Sequence, residues 1–200
     1  QKFAVEPNGT RFAVHASGEY VTPEAGADRR EGAVFIYDYA NLSAEPVAIL
    51  PPAAAPGGSF AGGLIWTGNQ LIIANSNAHG GNAYGYQAHG VVMIYDTTDL
   101  SAAPTIITGT LGVLERFGQQ IAVEDGKLFV TDNGDSYTTG RLRVYNLSNL
   151  NEAPQDITPS VINSGDQATQ VMAKDGYVVL GAGARKSIFI YEVSNLSAAP

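Results

Sequence analysis

Short apolar runs broken by tight turns recur along the whole chain. Ile121-Ala-Val-Glu-Asp-Gly-Lys-Leu-Phe-Val130 is the clearest copy, and Val171-Met-Ala-Lys-Asp-Gly-Tyr-Val-Val-Leu180 matches it position by position. Leu64–Ile73 carries Gly68-Asn69 at the turn, and Phe3–Val14 is longer there. Asp-Gly and Asn-Gly between apolar runs predict a hairpin, because the central residues must accept positive φ. Downstream lies a second repeated run: Gly32–Asp38, Gly90–Asp96, Gly140–Asn146 and Lys186–Glu192, each with Tyr as its penultimate residue. From that Tyr to a following Pro is nine residues in all four copies. Each repeat therefore reads as strand A, tight turn, strand B, loop, strand C, turn, strand D. Strand D is expected at Val47–Leu50, Thr105–Thr108 and Gln155–Thr158. Strand C is apolar at nearly every position in three copies, which predicts burial on both faces and sheets stacked face to face. No helical periodicity competes, and 23 Gly and 10 Pro punctuate too often for long helices.

Small four-stranded sheets at a period near fifty describe an all-β, β-propeller-type array of about four antiparallel blades. The blades are expected at roughly 1–58, 59–110, 111–160 and 161–200, within one propeller-type domain spanning 1–200. The chain stops at Pro200, before the place of a fourth strand D, so the last blade should lack its outer strand. An open strand C edge is a liability. The missing strand is expected from chain beyond this segment, from a neighbour, or to be replaced by other packing. An opening Gln1 without Met or a signal-peptide pattern suggests a processed or excised piece.

Arg116-Phe-Gly-Gln-Gln-Ile-Ala-Val-Glu-Asp-Gly-Lys-Leu-Phe-Val130, followed by Gly140-Arg-Leu-Arg-Val-Tyr145, resembles an FG-GAP-type propeller blade. Phe117-Gly118 matches the family's opening, Gly181-Ala182-Gly183 its second turn, and Phe60-Ala61-Gly62 approximates the opening. Many such blades carry a calcium loop of spaced Asp residues. Here the plain turns Asp125-Gly126 and Asp175-Gly176 argue against calcium at that place. The phrase from Tyr95 to Pro104 is similar to propeller repeats of marine phage structural proteins, which implies a virion or cell-surface setting.

Length variation concentrates between strands B and C. The distance from the end of B to the C-strand Tyr falls from 23 residues to 11, whereas the rest of the repeat hardly varies. The meander places all B–C loops at one end, and variable loops on a rigid frame are where binding usually resides. The first two loops hold or adjoin His15, His79 and His89, and carry Tyr20, Tyr84 and Tyr86. Tyr, Asn, Ser and Gly suit adaptable recognition. The expected ligand-binding residues are Tyr20, His79, Tyr84, Tyr86, His89, Asp132, Asp135 and Tyr137, with Tyr rings stacking on sugars and polar groups holding hydroxyls.

Composition removes several classes. Eleven Lys+Arg against 19 Asp+Glu, a net charge of −8, argue against nucleic acid. With no Cys, disulfides and thiolate chemistry are excluded. No run of 18 apolar residues predicts a membrane span. His79 and His89 lack a carboxylate at ligand spacing, and Asp132, Asn133 and Asp135 lack the bidentate acid of a calcium loop, so neither metal nor cofactor is expected. Trp66 and the four strand C tyrosines read as core. The N-glycosylation patterns at Asn41, Asn146 and Asn195 read as turn chemistry. No nucleophile elbow, phosphate-cradling Gly motif or carboxylate pair stands out, so the chain is not expected to be an enzyme. The sequence therefore suggests an extracellular or virion-surface recognition or adhesion module. It would bind glycan or protein through the B–C face, with other subunits of an assembly as further partners. The alternatives are a purely structural decoration or spacer domain and a secreted propeller enzyme.

Overall fold

The computed structural model describes residues 2–16, 32–51, 60–76, 90–109, 116–133, 140–159, 168–182 and 186–198. Alternating apolar residues and tight turns fold here into antiparallel meanders. Sheet 1 holds β1 (Phe3–Val5), β2 (Arg11–Ala16), β3 (Ala33–Asp38) and β4 (Val47–Ile49). Sheet 2 holds β5 (Gly63–Thr67), β6 (Gln70–Asn75), β7 (Val91–Asp96) and β8 (Thr105–Thr108). In sheet 3 are β9 (Ile121–Glu124), β10 (Lys127–Asp132), β11 (Arg141–Asn146) and β12 (Gln155–Ile157). Sheet 4 has three strands, β13 (Ala168–Lys174), β14 (Tyr177–Ala182) and β15 (Ser187–Glu192). The outer strands β4 and β12 end one residue earlier than expected, each before a residue that precedes Pro. Pro has no N–H to extend the ladder.

The turns follow their chemistry. Asp125 and Gly126 have φ of 48° and 69°, and Asp175 and Gly176 have 54° and 79°. After strand C, the side chain at its last position closes a local turn. Asp38 Oδ1 accepts from Ala40 N at 2.7 Å, Asp96 Oδ1 from Thr98 N at 2.9 Å, and Asn146 Oδ1 from Ser148 N at 3.0 Å. The next main-chain N–H locks onto the A–B turn in every sheet. Tyr39, Thr97, Leu147 and Val193 donate to the carbonyls of Thr10, Asn69, Gly126 and Gly176 at 2.8–3.0 Å. The constant Tyr-to-Pro phrase is thus a clasp between strand C and the A–B hairpin.

The core consists of three separate layers, one between each pair of successive sheets. In the first, Ala4, Ala13, Val34 and Ile36 of sheet 1 meet Leu64, Trp66, Leu71, Met93 and Tyr95 of sheet 2. The second packs Ile72, Ala74, Val92 and Ile94 against Phe117, Ile121, Leu128 and Tyr145. Across the third, Ala122, Phe129, Leu142 and Val144 meet Val178, Leu180, Phe189 and Tyr191. The first strands of neighbouring sheets lie side by side, β1 on β5, β5 on β9 and β9 on β13.

This arrangement corrects the propeller expectation. The four sheets form an open row and close into neither a ring nor a barrel. In a ring every sheet face would be covered, whereas sheets 1 and 4 each turn one apolar face outward. Phe3 is 72% exposed and Ile188 is 70% exposed. Two-sided burial of strand C accordingly holds for β7 and β11 of the middle sheets.

Candidate functional site

Of the expected ligand-binding residues, Tyr20, His79, Tyr84, Tyr86, His89, Asp135 and Tyr137 lie outside the described residues. Asp132 is described. It ends β10 and pairs in register with Arg141 at the start of β11. Arg143, two residues on, shares that face and pairs with Asp156 of β12. Alternation along β11 thus aims two guanidinium groups at one carboxylate.

The result is a compact ionic cluster at the rim of sheet 3. Asp132 Oδ2 lies 3.0 Å from Arg141 Nε and 3.2 Å from Arg143 Nε. Asp156 bridges the same pair, 3.3 Å from Arg141 Nη1 and 3.6 Å from Arg143 Nε. Asp132 is only 1% exposed, and its carboxylate is engaged within the ion-pair cluster. Arg143 also hydrogen-bonds the buried Tyr145 hydroxyl, whose pKa burial raises and Arg143 partly restores. Beside the cluster Asn133 donates to Gln119 Oε1, and Thr131 Oγ1 accepts from Gln120 N at 2.9 Å. Asp132 Oδ1 and Asn133 Oδ1 find no donor among the described residues.

Arg143, Arg141 and Asp156 were not expected from the sequence to matter. A signal was present, since Arg143 stands where the other strand C copies have Phe35, Met93 and Phe189. A charge in an otherwise apolar register needs a buried partner.

A second cluster joins sheets 1 and 2 at the opposite end. Arg11 donates to Glu6 through Nε at 3.0 Å and Nη2 at 2.5 Å, and through Nη1 to the Thr97 carbonyl at 3.1 Å. Its guanidinium sits 5.2 Å from the Trp66 ring centre. The Arg11 hydrogen bond holds the Glu6 carboxyl below its ordinary pKa. His15, in β2, is half-buried, and burial lowers its imidazole pKa.

Grooves also open at that end. One of about 530 Å³ is lined by Asn69, Gln70, Asp96, Gly126 and Leu147, and one of about 420 Å³ by Asp125, Lys127, Tyr145, Asn146 and Gln155. Tyr177, Tyr191, Glu192 and Asn195 line a corresponding groove on sheet 4. Recurrence beside successive A–B turns marks them as seams of the repeat. Among the described residues no three His, Asp or Glu side chains gather as a metal site, and no helix is long and apolar enough to cross a membrane.

The adhesion reading needed one closed propeller face lined by B–C loops, and the open row supplies none. No family model and no curated protein matches the chain, so the FG-GAP and phage resemblances are corrected as well. Phe117-Gly118, which carried the first, is accounted for by packing. Phe117 is fully buried edge-on to Tyr145, and Gly118 N donates to the Thr131 carbonyl. Among solved structures, the chain is similar to a prolyl endopeptidase studied for the role of inter-domain dynamics in catalysis and specificity. That likeness has a TM-score of 0.57 at 14% identity, covering 97% of this chain and 25% of the peptidase chain. It is a likeness of fold, and this chain spans about a quarter of the peptidase's length.

Proposed function

We propose that this chain is a non-catalytic scaffold that works by packing its two end sheets against protein. One observation carries the reading. Positions buried in the interior sheets are apolar and exposed at the ends, at Phe3 and Val5 on sheet 1 and at Met172, Ile188 and Ile190 on sheet 4. Contiguous exposed apolar faces on a soluble domain mark contact sites. A net charge of −8 favours protein over nucleic acid as partner. An extracellular setting belongs to the same proposal, and is read by locating the native protein in secreted or cellular fractions.

The test is a photo-crosslinking residue at Phe3 or Ile190 in the native setting, with exposed Ser101 as control. Protein adducts from both end positions and none from Ser101 are expected. End positions no more reactive than Ser101 would overturn the reading.

A further inference from the structure

We infer that the occupant of each end face is a second copy of this chain, docked head to tail, with sheet 4 of one copy on sheet 1 of the next. The inference rests on the scaffold reading and names its partner.

Strand C shows the logic. Its second position is Val34, Val92, Leu142 and Ile188 in sheets 1 to 4, and its fourth is Ile36, Ile94, Val144 and Ile190. In the first three sheets these residues are 0–6% exposed, because the next sheet covers them. Ile188 and Ile190 are 70% and 55% exposed, with no sheet packed over them among the described residues. The opposite face behaves reciprocally. Tyr95, Tyr145 and Tyr191 are buried by the preceding sheet, whereas Phe35 and Tyr37 of sheet 1 are only half-buried.

The two free faces are complementary in kind. At each internal junction the earlier sheet presents mainly aliphatic residues and the later one presents aromatic rings. Ile36 side meets Trp66 and Tyr95, Ile94 side meets Phe117 and Tyr145, and Val144 side meets Phe189 and Tyr191. Sheet 4 ends on Met172, Ile188 and Ile190, and sheet 1 begins on Phe3, Phe12, Phe35 and Tyr37. Docking 4 onto 1 repeats the internal pairing, whereas 4 onto 4 or 1 onto 1 does not.

A directional hydrogen bond adds register. The first residue of strand B reaches forward to the carbonyl two residues past the next sheet's Tyr. Arg11 donates to Thr97 at 3.1 Å, Gln70 to Leu147 at 3.5 Å, and Lys127 to Val193 at 2.5 Å. In sheet 4 that donor position is Tyr177, and in sheet 1 the receiving position is Tyr39; both side chains are exposed. The Tyr177 hydroxyl is the donor left to engage a Tyr39 carbonyl on the second copy.

Such a contact is heterologous, so each end can be disabled alone. Sedimentation velocity of the purified chain should show a mass above monomer that rises with concentration. Ile190→Lys and Phe3→Lys, both at exposed positions, should each abolish association and leave the circular dichroism unchanged. Mixed together they should form a one-to-one dimer through the one intact pair of faces. A monomeric wild type, a single variant that still associates, or a mixture that stays monomeric overturns the second copy. If the monomer's Ile190 still crosslinks to a different protein, the scaffold reading stands without it. If it crosslinks to nothing, both fall.

Discussion

Gly90 rests its α-carbon against the main chain of Phe117, across the junction of sheets 2 and 3. A β-carbon on Gly90 would collide with the Phe117 carbonyl, and Gly90 already has φ of 69°. Gly90→Ala should therefore lose about 3 kcal/mol of stability. Gly126→Ala, with φ also 69° but open space around it, should lose about 1 kcal/mol from backbone strain alone. Urea midpoints compare the two, and equal losses would show that the close approach is unimportant.

The Asp132–Arg143 pair should be strongly coupled. Arg143→Ala leaves a buried carboxylate with one fewer cation and should lose about 3 kcal/mol. Asp132→Ala should lose a similar amount, and the double variant less than the sum, with a coupling of about 1–2 kcal/mol. Additive losses in a denaturation cycle would mean that the pair is incidental.

Acid should weaken the junction of sheets 1 and 2 through Glu6. Its folded pKa is depressed, chiefly by the Arg11 hydrogen bond. The stabilisation is therefore fully present above the ordinary carboxylate pKa, and is lost as pH falls through the folded value. Glu6→Gln should lower stability at neutral pH and flatten the acid limb of the stability profile. An acid limb unchanged by the substitution argues against this assignment.

Alkali should act through Tyr95. Burial pushes its hydroxyl up to about 12 from an ordinary 10.0. Because the folded pKa is the higher one, its contribution is complete below pH 10 and lost as pH rises towards 12. Tyr95→Phe should shift alkaline unfolding to higher pH, read from tyrosinate absorbance. No shift would place the alkaline sensitivity elsewhere.

Much of the architecture was legible because local chemistry repeats. Asp125-Gly126 predicts a hairpin and the Tyr-to-Pro spacing a turn, and the structure adds that this turn is clasped to the hairpin by Leu147 and Gly126. Closure of the row was not legible. Ile188 and Ile190 read as buried because their strand C is as apolar as the one holding Val92 and Ile94, and nothing local to a strand says whether another sheet packs on it. The ionic cluster escaped for a related reason. In the sequence Asp132 groups with the loop after it, whereas its partners Arg141 and Arg143 reach it only across the strand pair. The loop residues Tyr84, Tyr86 and His89 lie outside the described residues.

Three core layers shared only by neighbours imply a graded folding energy. Among the described residues no side chain ties sheet 1 to sheet 3 or sheet 2 to sheet 4 within those layers. Stability is then close to a sum of nearest-neighbour terms. Sheets 2 and 3 draw on two layers each, whereas sheets 1 and 4 draw on one. Amide protons in β6, β7, β10 and β11 should exchange slowest with solvent deuterium, and those in β1 and β15 fastest, so the molecule frays from its ends inward. Uniform protection across all four sheets would show instead a single all-or-none unit.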